Sequence, residues 1–342
     1  MMKKLIFIVL LWLISLNVFA DHIKQIIFFG DSLSDNGNLY KLFAHIIPKS
    51  PPYYQGRFSN GPTWAEHVGQ YYHDQYRTHY TINAYGGATA FLHQPTTRFI
   101  APTTLKFEIY HYLLDAAFKD KSKILYVIWI GGNDYLFDRE KDVNELSQQV
   151  VDQIIFGMRT LMNEGGKYFL ILNMPNLSRV PFARANNIVE RLYLLSKAHN
   201  EKLKSAINEF KNNYPNIQLT LVNIYDVFND VIDHPEKYNE KYHINIKNTQ
   251  DACWQGSYTI NDQMKNMTQD LFQQALTPNQ IDFVLTSPEL IEAYHVGKQY
   301  EQGILPCENA DEYLFWDNIH PTHLVHKILS QIVIENLQTM YR

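Results

Sequence analysis

Four short apolar runs punctuate the chain, at residues 23–29, 124–130, 167–173 and 217–224, each rich in β-branched or aromatic residues and bounded by turn formers. Short β-branched and aromatic runs bounded in this way predict buried strands. Between them the apolar positions fall at helical spacing. Leu105, Ile109, Tyr112 and Ala116 share one face, and Leu146, Val150, Ile154, Met158 and Leu161 share another. Ile188, Leu192, Leu195 and Leu203 make a third stripe, and a closing helix is expected through Leu324, Ile328 and Ile332. Strands alternating with helices predict an α/β fold of three layers, α/β/α, around a mostly parallel sheet.

The rhythm breaks once. Between Cys253 and Cys307 no strand pattern continues, and two amphipathic stretches appear instead, one on Met264, Met267 and Leu271, the other on Leu290, Ile291 and Tyr294. No repeat, low-complexity tract or Gly/Pro/Ser-rich linker divides the chain. The expectation is a single domain over residues 21–342 that carries an insertion at 254–306. Its apolar faces are expected either to pack over a binding groove or to dock on a lipid interface.

The first twenty residues differ in kind. Lys3 and Lys4 precede an apolar run at 5–18, and Val18, Phe19 and Ala20 suit a cleavage site. This predicts a signal peptide at 1–20 and a secreted or periplasmic mature protein; an uncleaved anchor is the alternative, although the run is short for a span. Export changes the reading of the two cysteines, which in an oxidising compartment are expected to form a disulfide. A net charge of -5 and the lack of a long basic cluster argue against a nucleic-acid partner. The 14 His form no metal-ligand spacing, so no metal is expected.

Candidate chemistry gathers at strand ends. The first strand runs into Gly30-Asp31-Ser32-Leu33-Ser34-Asp35-Asn36-Gly37-Asn38, where open α/β sheets bind their ligands. Ser32 there can present a hydroxyl, although a serine and an aspartate in such a turn also serve as helix caps. Near the other end of the chain, Trp316-Asp317-Asn318-Ile319-His320-Pro321-Thr322 sets an acid three residues before a histidine. A neutral imidazole can take a serine proton while a carboxylate fixes its tautomer. Ala84-Tyr85-Gly86-Gly87 and Gly131-Gly132-Asn133-Asp134 supply uncharged donors of the kind a developing oxyanion needs. Glycines also serve ordinary turns.

Together these four segments resemble the GDSL family of esterases and lipases, also called SGNH hydrolases, from Phe28 to Thr322 and in the family's order. The resemblance implies a flavodoxin-like fold and an ester hydrolase without cofactor. It implies Ser32 as nucleophile, His320 as base and Asp317 as its orienting partner. The Ser32 backbone N–H, Gly87 and Asn133 would form the oxyanion hole. Ile82 stands where many members have asparagine, with Asn83 following, which leaves Gly86 as the alternative donor. The G-x-S-x-G elbow of the α/β-hydrolases is absent. The longer motifs are most similar to secreted bacterial phospholipases A, lysophospholipases and glycerophospholipid–cholesterol acyltransferases. This implies a phospholipid or lysophospholipid substrate, a sterol or other alcohol as acyl acceptor, and transient contact with a membrane surface. A carbohydrate or short-chain carboxylesterase, and a secreted lipid-binding protein without catalysis, are the competing readings.

Overall fold

The structure of the protein is a computed structural model that describes residues 23–92, 104–254, 260–274 and 276–340, leaving aside the side chains of 260–266 and 339–340. The export signal expected at 1–20 lies outside the described residues, as does the side chain of Met264.

Five strands form a parallel sheet: β1 (Gln25–Gly30), β2 (His79–Ile82), β3 (Ile124–Trp129), β4 (Tyr168–Leu172) and β5 (Gln218–Val222). Their order is β2, β1, β3, β4, β5. In register, Phe28 of β1 lies between Ile82 of β2 and Val127 of β3. Four of these strands coincide with the apolar runs. The fifth, β2, is a four-residue edge strand of His, Tyr, Thr and Ile that buries only its last residue, so it lacks the continuous apolar signal. From β1 the chain steps outward to β2 and then crosses to the other side of β1 to form β3. Loops leaving β1 and β3 therefore diverge, and a crevice opens at their carboxyl ends.

Helices α1 (Asn38–Leu42), α2 (Trp64–Tyr76), α3 (Leu105–Asp115), α4 (Gly132–Phe137), α5 (Val143–Asn163), α6 (Pro181–Ala185), α7 (Val189–Asn213), α8 (Ile224–Asp233) and α9 (Pro235–Tyr242) occupy the connections. After them come β6 (Asn248–Ala252), α10 (Ile260–Gln273), α11 (Pro278–Thr286), α12 (Pro288–Glu301), β7 (Tyr313–Phe315) and α13 (His323–Met340). Leu146, Val150, Ile154, Met158 and Leu161 of α5 face inward as expected, as do Leu192, Leu195 and Leu203 of α7, whereas Ile188 precedes that helix and is half-buried. α3 packs on α5 and α5 on α7, and α13 packs on α2. All six residues of β3 are buried, so both faces of the sheet are covered.

The intercysteine segment has a core of its own. Leu39, Phe43, Tyr53 and Phe58, from the stretch after β1, are buried against Phe283, Val284 and Leu290 of α11 and α12. Cys253 and Cys307 are joined in a disulfide with Cα atoms 4.9 Å apart. The N–H groups of Cys253 and Trp254 donate to the carbonyls of Phe315 and Trp316, each at 2.9 Å. The base of the segment is thereby fastened to the strand that leads to Asp317. Parallel pairing of Asn248 with Tyr313 and of Ala252 with Phe315 completes the junction.

Candidate active site

At Gly30, the last residue of β1, the chain runs too close to β3 for a side chain. A Cβ on Gly30 would lie 2.3 Å from the Trp129 carbonyl oxygen. The backbone then turns sharply, with the Ser34 and Asp35 N–H groups donating to the Asp31 carbonyl at 2.9 and 3.0 Å. Ser32 sits on this turn at the mouth of the crevice. The Asp35 carboxylate holds the turn by accepting from the N–H groups of Gly37, Asn38, Leu39 and Gly86. Burial pushes Asp35 up to about 6, against the pull of those four donors.

The Asp317–His320 loop is folded by its own acid. Asp317 Oδ1 accepts from the N–H of Ile319 at 2.8 Å and of His320 at 2.7 Å. That curl returns the imidazole to the carboxylate, with Nδ1 2.8 Å from Asp317 Oδ2. Tyr53 donates its hydroxyl to the same Oδ2 at 2.6 Å, and the Phe58 ring lies 5.1 Å from the imidazole, centroid to centroid. His320 Nε2 stands 3.0 Å from Ser32 Oγ. Residues 288 positions apart are thus joined in a hydroxyl–imidazole–carboxylate series, in which Ser32 is 4% exposed and Asp317 and His320 are fully buried. Such a series can draw the proton from a hydroxyl as it attacks a carbonyl.

The electrostatics follow from burial and charge together. Burial pushes the Asp317 carboxyl up, but His320 and the hydrogen bonds from His320 and Tyr53 outweigh it and hold the group below the usual carboxylate range. For His320, burial opposes the charge, yet Asp317 and Glu289 together raise it to about 10. Asp31 rises to about 8 through burial first and the Glu289 charge second.

Gly87 and Asn133 are brought to the same place. Gly86 gives its N–H to Asp35 at 2.8 Å, whereas the Gly87 N–H points toward Ser32's neighbour Glu289. Gly87, not Gly86, is therefore the glycine that faces the crevice. Its φ of +77° is one that few side chains tolerate. The Asn133 amide donates to the Ala88 carbonyl at 3.0 Å, and an amide carries a second N–H besides. Asp134 braces this junction by accepting from the N–H groups of Ala90, Phe91 and Leu92.

Several residues of the site escaped the sequence reading. Tyr53 carries no local signal, because its partner is 264 positions away. Asp35 and Asp134 lie inside the motifs, but their bracing role depends on which loops meet. Glu289 is the largest omission. Its Oε2 accepts the Ser32 hydroxyl at 2.8 Å, and its Oε1 accepts the Gly87 N–H. Beside Ser32 lies an apolar cavity of about 60 Å³, lined by Leu136, Leu177, Val180, Phe228, Phe315 and Leu329 among others. Among the described residues, no group of three or more His, Cys, Asp and Glu is placed to hold a metal ion, and no helix is long and apolar enough to cross a membrane.

The family described as GDSL-like Lipase/Acylhydrolase matches residues 26–333. A phosphatidylcholine-sterol acyltransferase from Aeromonas hydrophila is 30% identical, over 99% of this chain and 98% of that one. The secreted effector protein SseJ of Salmonella typhimurium is 27% identical over 64% of this chain and 51% of its own length. The thermolabile hemolysin of Vibrio parahaemolyticus is 23% identical over 92% of this chain and 64% of its own. With the family's motifs gathered at the strand ends and its match running from β1 into α13, the chain belongs to the GDSL-like lipase/acylhydrolase family of ester hydrolases.

Proposed function

We propose that the protein is an exported serine hydrolase that cleaves the acyl esters of phospholipids or lysophospholipids, with Ser32, His320 and Asp317 as its catalytic triad. The observation that carries this reading is the 3.0 Å approach of His320 Nε2 to Ser32 Oγ, with Asp317 2.8 Å behind the ring. Ser32 Oγ attacks the ester carbonyl carbon while His320 Nε2 takes the hydroxyl proton and Asp317 stabilises the resulting imidazolium. The carbonyl oxygen, now an oxyanion, is held by the N–H groups of Gly87 and Ser32 and by the Asn133 amide. Collapse expels the alcohol, which leaves with the proton from His320, and an acyl group remains on Ser32. Water resolves that ester to a free acid, or an alcohol such as a sterol takes the acyl group.

The lipid assignment is supported by the apolar wall beside Ser32 and by the phosphatidylcholine-sterol acyltransferase among the relatives. The proposal includes cleavage of residues 1–20 on export, one hydrolase domain over 21–342 and an insertion at 254–306. The small free volume next to Ser32 favours a second reading, a short-chain carboxylesterase. Rates on lysophosphatidylcholine and on p-nitrophenyl acetate separate the two. The lipid reading expects the larger kcat/KM on lysophosphatidylcholine presented at an interface; a preference for the acetate, with no turnover of either lipid class, would remove it.

A further inference from the structure

Glu289 lies where a substrate's ester group has to go. It belongs to the first turn of α12, behind the cap Ser287 and Pro288, and it is 1% exposed. A carboxylate so deeply buried needs strong donors, and it draws them from the catalytic centre. Oε2 accepts the Ser32 hydroxyl at 2.8 Å and stands 3.8 Å from His320 Nε2, while Oε1 accepts the Gly87 N–H. For acyl transfer the carbonyl carbon must reach Ser32 Oγ and its oxygen must reach the oxyanion donors. One side chain fills both positions.

Counting protons leads to the same state. The Ser32 hydroxyl has one hydrogen, directed at Glu289. The 3.0 Å contact with His320 Nε2 then takes its hydrogen from the ring, and the Asp317 contact takes another from Nδ1. An imidazole with both nitrogens protonated is a cation and accepts no serine proton. The combined pull of Asp317 and Glu289 on His320, which overcomes burial, favours that cation.

A carboxylate with one oxygen on the Gly87 N–H and the other on the serine is placed as the acid that ester hydrolysis would release at this spot. Building on the assignment of Ser32 as nucleophile, we infer that the oxyanion site is a carboxylate-binding site, held in cis by Glu289 and open in trans to free carboxylic acids, including the acid product. Glu289 and the incoming ester exclude each other. Glu289 is enclosed by close packing there: a Cβ on Gly87 would lie 2.7 Å from Phe283 Cζ and 3.2 Å from Leu290 Cδ1.

An internal competitor weakens every ligand of the site by the same factor. The test compares wild type, Glu289→Ala and Glu289→Gln on p-nitrophenyl butyrate, with octanoate below its micellar range as inhibitor. In Glu289→Ala, kcat/KM should rise and the octanoate inhibition constant should fall, each by at least ~10-fold. Glu289→Gln, which keeps the shape and loses the charge, should fall between the two. Unchanged constants in a folded Glu289→Ala protein overturn the inference. A lowered kcat/KM does so too, by making Glu289 a participant in the reaction. If Glu289→Ala does not fold, Glu289→Gln decides: kcat/KM above wild type supports the inference, and equal or lower values overturn it. Ser32→Ala in the Glu289→Ala background must be inactive. Turnover in that double variant would show instead that the nucleophile assignment has failed, and the inference with it.

Discussion

The sheet and the intercysteine helices supply opposite things to the same few cubic ångströms. On the proposed mechanism the strand ends supply Ser32 as the nucleophile and Gly87 and Asn133 as donors around the place for an oxyanion. From the helices between the cysteines comes Glu289, an acceptor that fills that place. The two regions also have separate cores: one built on β1, β3 and β4, the other where Leu39, Phe43, Tyr53 and Phe58 meet Phe283, Val284 and Leu290. On that reading the chemistry is held by the sheet, and access to it is held elsewhere. Changes in the first region should remove turnover, and changes in the second should alter stability and access while leaving the chemical step intact.

The largest effect that tests this division is Ser32→Ala. Turnover should fall by roughly 10⁴–10⁶-fold with no loss of fold, since neither the oxyanion donors nor Asp317 can replace a nucleophile. Steady-state rates beside a circular dichroism spectrum measure it, and near wild-type turnover would break the division at once. Opening the disulfide is the counterpart in the second region. The bond spans 54 positions, and the chain-entropy account assigns such a loop roughly 4 kcal/mol. Thermal unfolding of Cys253→Ser should show a loss of that order. Hydrogen exchange should show α11 and α12 opening before β3; simultaneous loss of protection in both would make the two cores one cooperative unit.

Asn133→Ala returns to the sheet. Removing one oxyanion donor should cost about 10²–10³-fold in kcat with little change in substrate affinity. A change confined to KM would reassign Asn133 to binding. The smallest expected effect is a shift in pH dependence. His320 must be neutral to act as base, and kcat/KM reports the free enzyme, in which Glu289 is seated. Groups facing the ring are Asp317 on its own loop, Glu289 and Glu292 on α12, Asp31 after β1 and His326 on α13. Because the carboxylates Asp317 and Glu289 outweigh burial and raise His320 to about 10, the acid limb of kcat/KM should lie above the ordinary histidine range. In Glu289→Ala, with one stabilising negative charge gone, the limb should move to lower pH. A limb at the same pH in both proteins would separate Glu289 from the proton on His320.

The same division marks what could be read from the chain. Four strands, the helical faces of α5 and α7, and the motifs around Ser32 and His320 were legible because each signal is local. A buried parallel strand is a continuous apolar run, and Asp317 and His320 sit three positions apart on one loop. β6, Asn248–Ala252, was not legible, since its residues are mostly polar and it is a strand only through pairing with β7. α11 carries a local sign of its start, since Thr277, Pro278 and Gln280 make a capping box with proline at the first turn. Glu289 had no sign. An acid in the first turn of a helix is ordinary helix chemistry, and only the meeting of residues 257 positions apart turns it into an occupant of the catalytic centre.

The most direct test of the central claim, that Ser32 is a nucleophile activated by His320 and Asp317, is to map the site of covalent modification by a fluorophosphonate. The protein without residues 1–20 is treated with the reagent, digested, and the adduct located by mass spectrometry. One adduct is expected, on Ser32, absent in Ser32→Ala and formed far more slowly in His320→Ala. An adduct on another serine, or none in a folded protein whose Glu289 has been replaced by alanine, would contradict the account.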